Sequence, residues 1–389
     1  MVFCDAYLPG ERGGGGMWAV RNLAERFCDR YDLFIVTRDC DGRIDGTPYT
    51  RVPRNKWTTR PEAKVFYASP SHLKAKTFAR LVAEIAPDAI YLNSVFSKPC
   101  VQFLLARGFY LRDPVPIVLA TCGEFSTAAM KLTPFKKRAY LVAARAAGLF
   151  RNILWKAATE PERDDIRRIM GKRVPIKVAP ELSPKDILPD FSADEKPQKR
   201  QGSVKLVFFS RVTPIKNLDF LLEILRNVDR GSIYLDVIGP TDDLEYLNKC
   251  RRMAAALPRN IKVTFLGSLE RDAALDVIKT SHFMVLPSKS ENFGYVIIES
   301  LAAGCPVLLS DKVSWNEVED AGAGWLVPLT NKPEWRASVE RCVWIDSNEY
   351  RTMSFSAREF AVRYLIAEEP TEVNRVMFDS VFATPYVNG

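Results

Sequence analysis

The sequence predicts an α/β protein made of two doubly wound, Rossmann-like domains facing a cleft. Three observations predict it. The 389 residues exceed one ordinary core and suit two domains of about 150–200 residues each. In both halves short apolar runs alternate with segments of helical apolar spacing, the pattern of parallel strands joined by crossover helices. A polar, proline-rich stretch, "SPKDILPDFSADEKPQKRQGS", separates the halves. The expected domains are therefore 1–182, a linker 183–203, 204–355, and a helical tail 356–389 packing back on the first domain.

Taken in order, "MVFCDAYL" reads as a strand, and a glycine cluster leads into the helical spacing of "MWAVRNLAERF". "YDLFIVTRD" is the next strand. "LKAKTFARLVAEIAPDAIYLNS" is a helix, a proline break and a strand. "VPIVLATCGEF" is another buried strand with Thr121 to Glu124 at its exit. A helix is expected from Pro134 to about Leu154, with "NILWKAATE" strand-like. "PERDDIRRIMG" is a helix, with proline and acids in its first turn and glycine at its end. The second half reads as five strands, "VKLVFFSRV", "SIYLDVIGP", "IKVTFLGSL", "HFMVLPS" and "PVLLSD", with four helices between them. A polar helical tail runs from Lys332 to Tyr364.

Composition narrows the function classes. No apolar run of about 18 residues exists, so no membrane-spanning helix is expected. The N-terminus carries an acid and lacks a basic segment followed by a long apolar core, so it does not read as a secretory leader. The eight cysteines form no Cys-x-x-Cys pair and suit buried thiols in a reducing cytoplasm. With two histidines and no His/Cys cluster, a protein-built zinc site is not expected. The net charge is +8 (55 − 47), and the stretch Lys131–Arg173 alone holds twelve Lys/Arg against four Asp/Glu. That surplus suggests an anionic partner, with a solvated helical face as the alternative.

Two loops carry the candidate chemistry. In "FFSRVTPIKN", Arg211 and Lys216 follow the first strand of the second half, where doubly wound sheets place ligands. Two cations before a helix start suit a diphosphate. In "SKSENFGYVIIES", Glu291 stands at a strand exit and Glu299 eight residues on, inside a near-apolar helix. Free backbone N–H groups around Asn292, Phe293, Gly294 and Tyr295 lie between them. A carboxylate among apolar residues needs partners, and paired sugar hydroxyls are good ones. Two carboxylates around a helix start and two cations nearby describe a nucleotide sugar: ribose, diphosphate, hexose.

With "SRVTPIKNLDFLLEIL", "LPSKSENFGYVIIESLAAGCPVLLSD" and "GAGWLVP", the chain resembles the retaining glycosyltransferases of the GT-B fold, group 1 (GT4). "YLPGERGGGGMWAVRNLAERF", "TCGEFSTAAMKLTPFKKRAYL" and "ATEPERDDIRRIMG" resemble members that build bacterial surface polysaccharides. The resemblance implies transfer from a nucleotide-diphosphate sugar to a glycan or lipid-linked acceptor, without metal or further cofactor. Arg211 and Lys216 would neutralise the leaving diphosphate. Glu291, with backbone at Asn292, Phe293 and Gly294, would hold the transferred sugar, and Glu299 the ribose hydroxyls. Gly13 to Gly16, Gly14 and Gly15 included, would let the first-domain backbone approach phosphates and acceptor. Many relatives carry histidine where this chain has Cys122, Gly123 and Glu124, so Glu124 is the acid placed to meet the acceptor or transferred sugar. Cys122 has no basic partner in sequence and is not expected as a nucleophile. The expected place is cytoplasmic, peripheral at the inner membrane face through 131–173.

Other readings are weaker. Asp39-x-Asp41 has a metal-binding spacing but falls in an expected surface turn. The glycine cluster puts Trp18 where a dinucleotide fingerprint ends in glycine. His282 precedes a buried strand as a packing residue. The basic stretch lacks interleaved aromatics, so no nucleic-acid partner is expected. The remaining alternative is a non-catalytic nucleotide-sugar or glycan-binding protein of the same fold.

Overall fold

The computed structural model describes residues 1–10, 13–41, 46–111, 115–185 and 196–383. The chain divides into one unit of residues 1–185 and 368–389 and a second of residues 186–367. Of the expected linker, residues 186–195 lie outside the described residues.

In unit 1 the order is β1 (Val2–Cys4), α1 (Gly14–Phe27), β2 (Phe34–Arg38), β3 (Trp57–Thr59), β4 (Lys64–Ala68), α2 (Ala75–Ile85) and β5 (Ile90–Asn93). Then follow α3 (Lys98–Phe109), β6 (Ile117–Ala120), α4 (Thr127–Met130), α5 (Pro134–Ala146), β7 (Ile153–Ala157), α6 (Glu160–Met170) and β8 (Ile176–Val178). The eight strands stand in the order β3-β4-β2-β1-β5-β6-β7-β8, and only the β3–β4 pairing is antiparallel. Alternate residues serve two cores because the strand period is two. Phe3, Ile117 and Leu119 face one cluster, whereas Val2, Val118 and Ala120 face the other. The expected helix from Pro134 to Leu154 ends at Ala146 instead, and residues 147–152 turn into β7. Leu149 in that turn and Ile153 at the start of β7 both join the core, which kept the helical spacing going in the sequence.

Unit 2 runs β9 (Ser203–Phe209), α7 (Leu218–Leu225), β10 (Ser232–Ile238), α8 (Leu244–Ala255), β11 (Ile261–Gly267), α9 (Arg271–Lys279) and β12 (Phe283–Leu286). It continues with α10 (Tyr295–Ala302), β13 (Val307–Ser310), α11 (Glu317–Asp320), β14 (Gly324–Val327), α12 (Lys332–Trp344) and α13 (Ser347–Ile366). The sheet order is β11-β10-β9-β12-β13-β14, all parallel. β14 is a sixth strand beyond the five expected. Its tryptophan and flanking glycines obscured it, yet Gly324–Val327 pairs in register with Val307–Ser310. The expected polar tail helix is two helices, the second capped by Asp346 accepting from Asn348 and Glu349 N–H.

α13 crosses the expected boundary at 355/356 unbroken, so residues 356–367 stay with unit 2. Its Ser354 donates to Gly304 O (2.7 Å), and Arg358 donates to Ala302 O, tying it to α10. The chain then rejoins unit 1 as α14 (Glu369–Ala383). There Phe378 packs on Phe27 and Tyr91, and Asp379 meets Arg30 and Tyr31.

His282 is a packing residue. Its Nδ1 accepts from Lys205 N–H (2.8 Å), and its ring meets Tyr350 edge-on. Burial and nearby lysines lower its pKa to about 4. The ring is thus neutral when folded and charges near pH 6.5 when unfolded. The stabilisation is complete above pH 6.5 and fades as pH falls through about 4. We expect unit 2 to lose on the order of 3 kcal/mol between these limits, and His282→Asn to remove that dependence in melting curves. An unchanged slope in the variant contradicts the assignment.

Candidate functional site

The unit 2 sheet reverses its winding between β9 and β12, so their carboxyl ends open the crevice where such sheets bind ligands. The two expected loops leave from these two strands. Backbone and side-chain bonds hold them together: Lys289 N–H donates to Ile215 O (2.7 Å), and Lys289 Nζ to Pro214 O (2.9 Å). Lys216 and Glu291 form an ion pair across the seam, both side chains largely withdrawn from solvent. Arg211 pairs with Asp242, which follows β10. This pairing is close because Gly239 lets the β10 exit touch the β9 exit. Its φ is +142°, and a Cβ there would lie 2.0 Å from Ser210 O.

The Asn-Phe-Gly turn is built from behind. Phe293 packs on Tyr295, Trp315 and Tyr364, and Trp315 Nε1 donates to Phe293 O. Gly294 (φ +79°) starts α10 in the left-handed region, where a Cβ would come within 2.8 Å of Ile297. Asn292 Oδ1 is shielded from solvent and has no hydrogen-bond partner among the described residues. An unpaired acceptor in this turn suits a ligand hydroxyl.

Glu299 sits on the fifth residue of α10, buried, and its partner is Arg271 at the start of α9 (3.4 Å). Arg271 lies at the carboxyl side of β11, so this pair stands at the same edge of the sheet as Arg211 and Lys216. Sequence reading did not single out Arg271 or Asp242. Each is an ordinary charged residue at a helix start or turn, and only strand order brings it to its partner.

The unit 1 residues occupy their own switch point, between β1 and β5. Gly14 and Gly15 open α1 itself, not a loop before it, and Asn93 Nδ2 at the β5 exit donates to Gly16 O (2.8 Å). Glu124 is half-buried. It accepts from Ser94 Oγ (2.8 Å), Val95 N–H (2.7 Å) and Phe96 N–H (3.4 Å), anchoring the β5–α3 connection. Burial raises its pKa against those hydrogen bonds. Glu162, unremarked in the sequence, accepts from Thr121 Oγ1 (2.6 Å), Gly123 N–H (2.6 Å) and Ala158 N–H (2.7 Å), and burial raises its pKa too. Cys122 donates to Asn93 Oδ1 (3.1 Å), and burial among carboxylates pushes its thiol pKa well up, the opposite of an activated nucleophile. Asp39 pairs with Arg54 and Asp41 accepts from Tyr49, so the Asp-x-Asp pair is held by its own neighbours. No group of metal-ligating side chains occurs among the described residues.

Residues 190–359 match the glycosyl transferases group 1 family. Among relatives by sequence, an uncharacterized glycosyltransferase of Methanocaldococcus jannaschii is 29% identical over 32% of this chain and 32% of its own length. The D-inositol 3-phosphate glycosyltransferase of Mycolicibacterium smegmatis is 32% identical over 41% of this chain and 36% of its own. The chain spans about a third of the length of the first such relatives. Solved structures match throughout. Sucrose-phosphate synthase of Thermosynechococcus elongatus gives a TM-score of 0.72 at 18% identity, covering 98% of this chain and 99% of that one. Anabaena HepE, solved in complex with UDP and glucose, gives 0.70 at 16% identity with the same coverage. These likenesses show the fold: two Rossmann-like units of GT-B type, with the group 1 match falling in the second.

Proposed function

We propose that this chain transfers a sugar from a nucleotide-diphosphate sugar to a hydroxyl of a glycan or lipid-linked acceptor. The observation that supports it most is the Lys216–Glu291 pair bridging the β9 and β12 exits at the sheet's switch point. A cation for the diphosphate and an acid for the sugar meet there. The group 1 match over the same unit supports it too. HepE was solved with UDP and glucose, and the donor proposed here is of that chemical class.

In this reading the diphosphate takes the place of Glu291 and Asp242 beside Lys216 and Arg211. The anomeric C–O bond breaks, its electrons pass to the diphosphate oxygen, and the two cations meet the charge that develops. The freed Glu291 and the Asn292–Gly294 turn hold the transferred sugar. Glu299, positioned by Arg271, holds the ribose hydroxyls. The acceptor oxygen bonds to the anomeric carbon on the face the diphosphate leaves, so configuration is retained. The acceptor proton passes to the leaving phosphate oxygen, a route that needs no protein base and no metal. Membership of GT4, a role in O-antigen, capsule or exopolysaccharide synthesis, and a cytoplasmic place at the membrane complete the proposal.

The test is a panel of uridine, guanosine and adenosine diphosphate sugars, with donor hydrolysis and transfer followed by anomer-resolved NMR. Turnover of one donor with retained configuration is the expected result. An inverted product removes the retaining route. Binding without turnover across the panel favours the non-catalytic binding protein.

A further inference from the structure

The basic stretch lies outside the donor site, and its helix carries a second face that the described residues of unit 1 leave open. Between Glu124 and Glu160 the sequence has seven Lys or Arg and no Asp or Glu. α5 buries Leu141 and Ala144 in the unit 1 core. At about 100° per residue, Phe135, Ala139, Val142 and Ala146 fall together on the opposite side. All four are exposed, Phe135 by 87% and Val142 by 68%. Leu132, in the turn before the helix, is exposed as well. Arg138 and Arg145 border this stripe on one side and Lys136 on the other, each exposed. A surface helix of a globular domain ordinarily sets polar residues opposite its buried face. This one sets an apolar stripe there, with cations along both margins.

The patch continues beyond the helix. Arg107 Nη1 reaches Leu149 O (3.4 Å), bringing the end of α3 beside the end of α5, and Phe109 and Tyr110 are exposed there. On the other margin Arg145 reaches Ile169 O and Met170 Sδ. A cavity of about 520 Å³ opens next to them, with Phe150 and Trp155 among its walls and the exposed Lys172 and Arg173 beside these.

We propose that α5 docks flat on an anionic lipid surface. Its apolar stripe enters the headgroup–acyl boundary, and Lys131, Lys136, Arg138 and Arg145 lie against headgroup phosphates. Charge complementarity selects this occupant. A nucleic acid would use the cations and leave Phe135 and Val142 in water, whereas an anionic bilayer takes up both features of the one face. The proposal is independent of which donor the second unit binds.

The experiment is flotation of the full chain with phosphatidylcholine vesicles, with and without phosphatidylglycerol, at low and raised salt. Recovery is expected with phosphatidylglycerol only, and less at raised salt. Serine at Lys131, Lys136 and Arg138 together weakens partition by roughly two orders of magnitude, about fivefold per cation. Phe135→Glu with Val142→Glu abolishes flotation while melting temperature and donor turnover stay unchanged, because both side chains are exposed. Equal recovery on neutral vesicles overturns the proposal, as does undiminished flotation of the glutamate variant. A dimer by light scattering that this variant dissolves assigns the stripe to a second copy instead. Donor turnover in the same preparations reads the sugar site separately.

Discussion

Lys216→Ala lowers transfer about 10²- to 10³-fold, the scale for losing one group aimed at transition-state charge. Glu291→Ala is expected to match it. The two losses have different causes. In the proposed reaction Lys216 would meet charge that grows as the glycosidic bond breaks, so its removal is expected to fall on kcat and kcat/KM alike. In the same proposal Glu291 would hold hydroxyls already present in the bound donor, so part of its loss is expected in KM. The Lys216–Glu291 ion pair also offers a purely structural explanation, and the double variant separates the two. A structural pair, once both members are gone, leaves no stranded charge, and activity returns with the melting temperature. A functional pair leaves a stable, inactive protein. Undiminished rates in Lys216→Ala remove this site from the mechanism.

Lys156→Ala destabilises unit 1 by about 3–5 kcal/mol, the scale for stranding one member of a buried ion pair. Lys156 Nζ lies 3.2 Å from Glu181 Oε1, and both side chains are almost wholly buried. Lys156 is in β7, and Glu181 lies just beyond β8, close to where the chain leaves the unit. That exit is held by further side chains: Asn22 donates to Leu182 O (2.7 Å), Arg26 to Ser183 O (2.8 Å) and Asn374 to Pro180 O (2.8 Å). Removing the lysine leaves a carboxylate in apolar surroundings with Cys122 and Glu162 nearby, so water must enter or the exit must shift. Lys156→Met with Glu181→Leu recovers most of the loss, since two apolar side chains of similar volume leave nothing unpaired. Calorimetric melting of the single and double variants checks both statements. A loss below about 1 kcal/mol in Lys156→Ala shows that the pair is already hydrated.

Much of the fold was legible because its strands are short apolar runs and its helices keep a 3.6-residue apolar spacing. β14 escaped because glycine and tryptophan dilute its run, and its pairing with β13 is a matter of register. The end of α5 was misplaced because Leu149 and Ile153 are core residues whose spacing mimics another helical turn. At the candidate site, Arg211, Lys216, Glu291 and the Asn-Phe-Gly turn were legible because each sits directly behind a strand. Their partners were not. Asp242 and Arg271 lie 31 and 28 residues from Arg211 and Glu299, in loops no local pattern joins to them.

By itself the sequence determined the alternation of strands and helices, the residues at each strand exit, and the acid-free run that makes α5 cationic. These are properties of neighbours along the chain, where side-chain period and charge are read directly. Only the tertiary structure decided that β9 lies beside β12, so that Lys216 meets Glu291. It also turned Glu124 inward to hold a backbone loop, and it left Phe135 and Val142 in solvent while Leu141 and Ala144 filled the core. Each of these depends on which elements pack together, and burial, not local preference, settles that choice.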